Sequence, residues 1–157
     1  MRKRGFEMSF NFILSIIIIA FIIAAAGYAV SHFLSLRDCA EAGLFYQELK
    51  REIDKSWTSE IASQTFSSSV PSGIESICIG NVSTSSDLKE YDSLKRYRRQ
   101  GYLLFFYPVE KACGQAAYKL EHLDLQTTGT LKCYQVKEGK VNFVISKDSA
   151  ASLVSIK

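Results

Sequence analysis

Four cysteines, two histidines and one dense cationic cluster are the residues of this chain whose types could do chemistry. Cys39, Cys78, Cys113 and Cys133 lie far apart, with no C-x-x-C pair of the kind that zinc sites and dithiol redox sites use. Outside a reducing cytoplasm four thiols suit two disulfides, and three pairings are possible. Cys39–Cys78 with Cys113–Cys133 is the expected pairing, because each closes a moderate loop; buried free thiols are the alternative. His32 falls near the outer end of an apolar run, where a neutral imidazole needs no special role. His122 is flanked by Glu121 and Asp124, but no second histidine or cysteine stands at ligand spacing, so no metal is expected. Cys113 and His122 could form a nucleophile–base pair, yet no local signature supports one and a disulfide would consume the thiol. Gly-rich phosphate loops are absent. The expectation is a chain without cofactor that is not an enzyme.

Two surface features remain. Lys95, Arg96, Arg98 and Arg99 surround Tyr97, with Tyr91 and Tyr102 nearby. Cations interleaved with aromatics can grip a nucleic acid, an acidic glycan or lipid headgroups. The plainer reading is a solvated charged helix whose partners are Asp87, Glu90 and Asp92. Asn81-Val82-Ser83 is a glycosylation sequon, a pattern short enough to arise by chance.

The elements that must carry these residues begin with an uncharged run. Between Met8 and Leu36 there is no Asp, Glu, Lys or Arg, and the centre reads Ile16-Ile17-Ile18-Ile19-Ala20-Phe21-Ile22-Ile23. About 20 apolar residues cross a hydrocarbon core of about 30 Å, so the run is long enough to span. Arg2, Lys3 and Arg4 precede it, which places the N-terminus in the cytoplasm and the bulk of the chain outside. Removing those three cations and Glu7 from 19 Lys/Arg and 16 Asp/Glu leaves 16 basic and 15 acidic residues. The outer part is therefore near neutral and has no bulk polyanion-binding character. A cleaved signal ending near Ala24-Ala25-Ala26-Gly27 is the competing reading. The apolar run continues past that point through Tyr28, Val30, Phe33 and Leu34, which favours a retained anchor.

No proline occurs between Ser9 and Ser63, and Phe45, Leu49, Ile53, Trp57 and Ile61 recur at i+4 with Tyr46 beside them. That periodicity predicts one helix from about Ser9 to Ser63, first apolar all round and then amphipathic. Lys50 and Asp54 are spaced for an ion pair on its outer face. Ala20, Ala24, Gly27 and Ser31 share one face of the apolar half, the kind of small-residue stripe along which membrane helices approach each other. Thr65 to Pro71 reads as a Ser-rich connector. Ile74–Ile79, Tyr102–Tyr107, Thr130–Val136, Lys140–Ile145 and Ala151–Ile156 read as strands, with a hairpin at Lys137-Glu138-Gly139. Asp87–Gln100 reads as a short surface helix or ordered loop. The expected class is α+β, a long N-terminal helix packed on a small antiparallel sheet. The divisions are a basic arm over 1–8, a span over 9–36, an amphipathic continuation over 37–63 and a β-rich domain over 64–157.

The basic arm ending in Gly5, the immediate Phe6, the emergent apolar helix and the small disulfide-bearing domain together resemble the type IV pilin superfamily, particularly archaeal members with a class III signal peptide. The layout is also similar to archaeal single-span membrane proteins, a likeness that implies no function. The pilin resemblance implies cleavage of a leader over 1–5, leaving Phe6 as the new N-terminus. It also implies a structural subunit whose helix bundles with copies of itself in a surface filament or secretion pseudopilus. The chain departs from the bacterial pattern, which has glutamate at the fifth mature position; here that position is Phe10, and Glu7 is second. Archaeal members often lack that glutamate. The alternative function is a single-pass, membrane-anchored module that binds an unidentified partner outside the cell. On either reading the helix meets membrane lipid, and the pilin reading adds homo-oligomers through it.

Overall fold

The computed structural model describes residues 4–82, 87–124 and 130–157. It divides into two compact units, Met1–Arg37 and Asp38–Lys157. Arg2 and Lys3 of the basic arm, and Ser83 of the sequon, lie outside the described residues. One helix, α1, covers Arg4–Thr58. The first unit holds its apolar part, in which every described side chain from Phe10 to Leu36 is exposed.

In the second unit, α1 turns Ala42, Phe45, Leu49 and Ile53 inward, all essentially inaccessible to solvent. They pack on two antiparallel sheets. One consists of β1 (Ala62–Ser69), β6 (Lys140–Lys147) and β7 (Ser155–Ile156) in the order β1-β6-β7. The other consists of β2 (Ser76–Ile79), β3 (Leu104–Tyr107), β4 (Ala117–Tyr118) and β5 (Lys132–Gln135) in the order β4-β3-β2-β5. The class is thus α+β. Phe45 meets both sheets edge-on, its ring centroid 5.7 Å from Phe66 of β1 and 5.5 Å from Phe106 of β3. Leu104, Phe105 and Phe106 are fully buried, and β3 ends at a cis Tyr107–Pro108 bond. Between β2 and β3 runs α2 (Tyr91–Leu94), followed by a 3-10 turn at Lys95–Tyr97.

The helix stops one turn short of the Ser63 that periodicity predicts. The Thr58 and Ser59 hydroxyls donate to the Lys55 carbonyl, at 2.9 and 3.0 Å, which satisfies a terminal acceptor. Ile61 therefore lies off the helix and is exposed, while Trp57 is 40% exposed at its last turn. The chain turns directly into β1, so the supposed Ser-rich connector is a full strand paired with β6 from Ala62↔Lys147 to Ser69↔Lys140. Two of its inward positions, Gln64 and Ser68, are polar and only Phe66 is buried in the core, which hides the alternation. Gln64 donates to Glu52 and Ser56 of the helix, and Ser68 donates to Glu48. Hydrogen bonds to the helix thus replace part of the apolar contact that normally marks a strand.

Three further expectations are corrected. The Lys137–Lys140 turn forms, with two backbone bonds and positive φ at Glu138 and Gly139, but its two strands do not stay paired. β5 leaves to pair with β2, and β6 leaves to pair with β1 and β7. The final strand is only Ser155–Ile156, with Val154 bridged to Leu123. Lys50 and Asp54 form no ion pair among the described residues: Lys55 meets Glu52, and Asp54 faces His122 Nε2 at 3.9 Å.

The disulfides are Cys39–Cys113 and Cys78–Cys133, not the pairing expected from loop length. Loop-closure entropy grows only with the logarithm of length, so short loops hold little advantage. Register decides instead, because Cys78 on β2 stands directly opposite Cys133 on β5. Cys39 then joins α1 to the loop ahead of β4, with Cα atoms 5.4 Å apart.

A native disulfide contributes about 2–4 kcal/mol. Reducing the full chain in detergent micelles should therefore lower its melting temperature, and unreduced peptide mapping should recover Cys39 with Cys113 and Cys78 with Cys133. The Tyr134 hydroxyl is buried without a hydrogen-bond partner. An orphaned hydroxyl costs about 1–3 kcal/mol. Tyr134→Phe is accordingly expected to leave stability unchanged or raise it by about 1 kcal/mol in urea unfolding; a loss above that size would show that the hydroxyl is satisfied.

Candidate functional site

The first candidate is the apolar helix surface. Sixteen large apolar side chains between Phe10 and Leu36 are exposed. Apolar patches on soluble monomers rarely exceed a few hundred Å², so a surface of this extent marks contact with lipid or with protein. The helix is long and apolar enough to cross a membrane. Along its small-residue face, a Cβ added at Gly27 meets nothing within 4 Å, and the Ser31 hydroxyl is turned back onto the Tyr28 carbonyl at 2.8 Å. This face is smooth and open to close approach by another helix. Gly5 and Phe6 lie within the helical backbone.

The second candidate is the cationic cluster. Lys95 is tied to Asp92 at 2.9 Å, as the solvated-helix reading expects. Glu90 does not serve as a partner: it is buried, and Ser76 Oγ donates to it at 3.4 Å. Lys89 pairs with Glu75 instead. Arg96 stacks over Tyr97, with its guanidinium carbon 5.3 Å from the ring centroid. Arg98 and Arg99 are exposed and form no ion pair among the described residues. Charge balance within the segment is therefore incomplete.

Sharing Tyr97 with this cluster is a feature that sequence reading misses, a cavity of about 260 Å³ lined by Tyr97, Tyr102, Gly114, Gln115, Ala116, Ala117 and Tyr118. The 3-10 turn supplies Tyr97, which leans on buried Phe105, and Tyr102 stands edge-on to it with centroids 6.0 Å apart. Tyr118 on β4 stacks on Tyr46 of α1 at 4.6 Å and donates to Gln115 Oε1 at 3.3 Å. The sequence groups Tyr97 with Tyr102, whereas Tyr118 joins them only through the pairing of β3 with β4.

The remaining residues do not converge on chemistry. His122 lies flat against Trp57, with centroids 3.8 Å apart, and so fastens a loop to the end of α1. Its supposed nucleophile, Cys113, is bonded to Cys39. No cluster of three potential metal ligands occurs among the described residues. Asn81 is half-buried and follows Gly80, whose N–H donates to Leu103. Neighbouring Val82 is buried.

Burial raises the pKa of the Tyr118 phenol above its ordinary value near 10, with Tyr46 adding to the shift, and burial alone raises Tyr134. Each phenol holds its proton more tightly in the folded chain than in the unfolded one. Their contribution is thus complete below pH 10 and is lost as pH rises from there through the folded values. Stability measured by denaturant should fall above pH 10, with a smaller fall in Tyr118→Phe; an unchanged slope in that variant would contradict the shift.

Comparison with protein-family models, with curated proteins and with solved structures finds no match to this chain.

Proposed function

We propose that this chain is a pilin-like structural subunit that assembles through its apolar N-terminal helix into a cell-surface filament or secretion pseudopilus. The observation that supports this reading is the uncovered apolar surface from Phe10 to Leu36. Moving one large apolar side chain from water into an apolar setting gains roughly 1.5–3 kcal/mol, so sixteen of them bind the helix to lipid or to copies of itself. The arm Arg2-Lys3-Arg4 holds the start of the chain in the cytoplasm. Cleavage after Gly5 removes those cations and frees the helix to move from lipid into a bundle. Glu7 then lies beside the new amino terminus and offers a neighbouring subunit's ammonium a partner, a pairing favoured where the dielectric is low. The small face at Ala20, Ala24, Gly27 and Ser31 admits close helix contact. The two disulfides suit an oxidising exterior for the second unit.

Mass spectrometry of the native protein tests this directly, with Phe6 expected as the first residue and recovery of the chain in sheared surface material. Replacing Gly5 with Leu should block processing. Gly27→Leu should reduce the sheared fraction while leaving membrane insertion intact, because it adds bulk to the packing face without reducing apolarity. An intact Met1 or Arg2 on the mature chain, found only in membranes, would favour the anchored binding module instead.

A further inference from the structure

The geometry points to a binding site for a carboxylated saccharide, with one sugar ring in the corner formed by Tyr97 and Tyr102 and its acid group on Arg96, Arg98 and Arg99. The inference is independent of filament assembly, since it uses only residues of the second unit. The cavity is small, about 260 Å³, and mixes three tyrosines with Gln115 and the small residues Gly114, Ala116 and Ala117. A pyranose ring has that dual character. One face carries weakly positive C–H bonds that pack on the electron-rich face of a phenol, while the rim carries hydroxyls that need hydrogen-bond partners.

Charge selects an acidic sugar over a neutral one. Of the four cations, Lys95 is committed to Asp92. Arg96 lies over the Tyr97 ring that lines the cavity, while Arg98 and Arg99 have no ion pair among the described residues. Guanidinium groups match a carboxylate with two parallel N–H bonds, so an arginine cluster suits an anionic group of that shape. Without these four cations the outer part holds 12 basic and 15 acidic residues, which makes the cluster a local feature rather than part of a basic surface.

The same geometry favours a sugar over single-stranded nucleic acid. Bases stack on parallel aromatic platforms set along a groove that tracks several phosphates. Here Tyr97 and Tyr102 stand at 79° to one another, which makes a corner and not a stack. The lining segment that starts at Gly114 is anchored covalently, since Cys113 precedes it and is bonded to Cys39. Positive φ at both Cys113 and Gly114 shapes that segment.

The test uses the full chain in detergent micelles, with hexagalacturonate, maltohexaose and a twenty-residue oligothymidylate as probes in calorimetry. Hexagalacturonate should bind, more weakly as salt rises, and maltohexaose should bind at least about tenfold more weakly for want of the charged contacts. Arg98→Ala with Arg99→Ala should weaken hexagalacturonate by about tenfold or more, because both side chains are exposed and their loss leaves the fold intact. Tyr102→Ala should weaken it too, with the melting temperature reported beside the affinity to exclude unfolding. A control pair, Lys50→Ala with Arg51→Ala on the outer face of α1, should leave affinity unchanged. Equal losses in the control and the arginine pair would overturn the site, as would no change in a folded Tyr102→Ala. Tighter binding of the oligothymidylate would replace the saccharide with nucleic acid.

Discussion

A helix surface with no protein over it is the condition around which the rest of this chain is organised. From Phe10 to Leu36 the described side chains are exposed, and most are Ile, Leu, Phe or Ala. In water that surface would cost tens of kcal/mol, several times the net stability of an ordinary domain. An apolar medium removes that cost, and the helix is long and apolar enough to cross a membrane. Other features are consistent with it. The second unit is close to charge balance and closed by two disulfides, which suits an exterior medium. Its own core is built separately, around Phe45, Phe105 and Phe106.

That core solves a joining problem. A single amphipathic stretch of α1 must serve two sheets, and Phe45 does so by placing its ring edge toward both. The polar seam between α1 and β1 adds direction to this contact. Glu48, Glu52 and Ser56 accept from β1 side chains, so a shifted strand would leave carboxylates and hydroxyls without their partners. Apolar contact supplies most of the attraction in such an arrangement, and the seam fixes which residues meet.

Local pattern was enough for the helix, its inward residues Phe45, Leu49 and Ile53, most strand positions and the α+β class. These depend on near neighbours in the chain, and periodicity reports them. What could not be read depended on distant partners. β1 is a strand because β6 zips along its full length, although its own composition resembles a linker. The hairpin turn was legible, but the separation of its arms was decided by β1 and β2, more than fifty residues earlier. Cystine pairing followed sheet register, which no spacing rule contains. The tyrosine cavity failed to appear for the same reason: Tyr118 reaches the others only through the pairing of β3 with β4. Histidine was informative chiefly by scarcity, and His122 proves to be a packing contact of Trp57.

The Cys39–Cys113 bond also sets how the second unit answers a mechanical load. Cys39 stands at the point where that unit's share of α1 begins, and Cys113 lies in the loop beside the tyrosine cavity. Tension applied at that loop passes to α1 through the sulfur bridge and bypasses the stretch of sequence between the two cysteines, which stand 74 positions apart. Strands β1 to β3 lie inside the bypassed stretch, so their ladders stay slack under a pull that would otherwise unzip them in order. The oxidised unit is thereby inextensible along this path, whatever the strength of its hydrogen bonds.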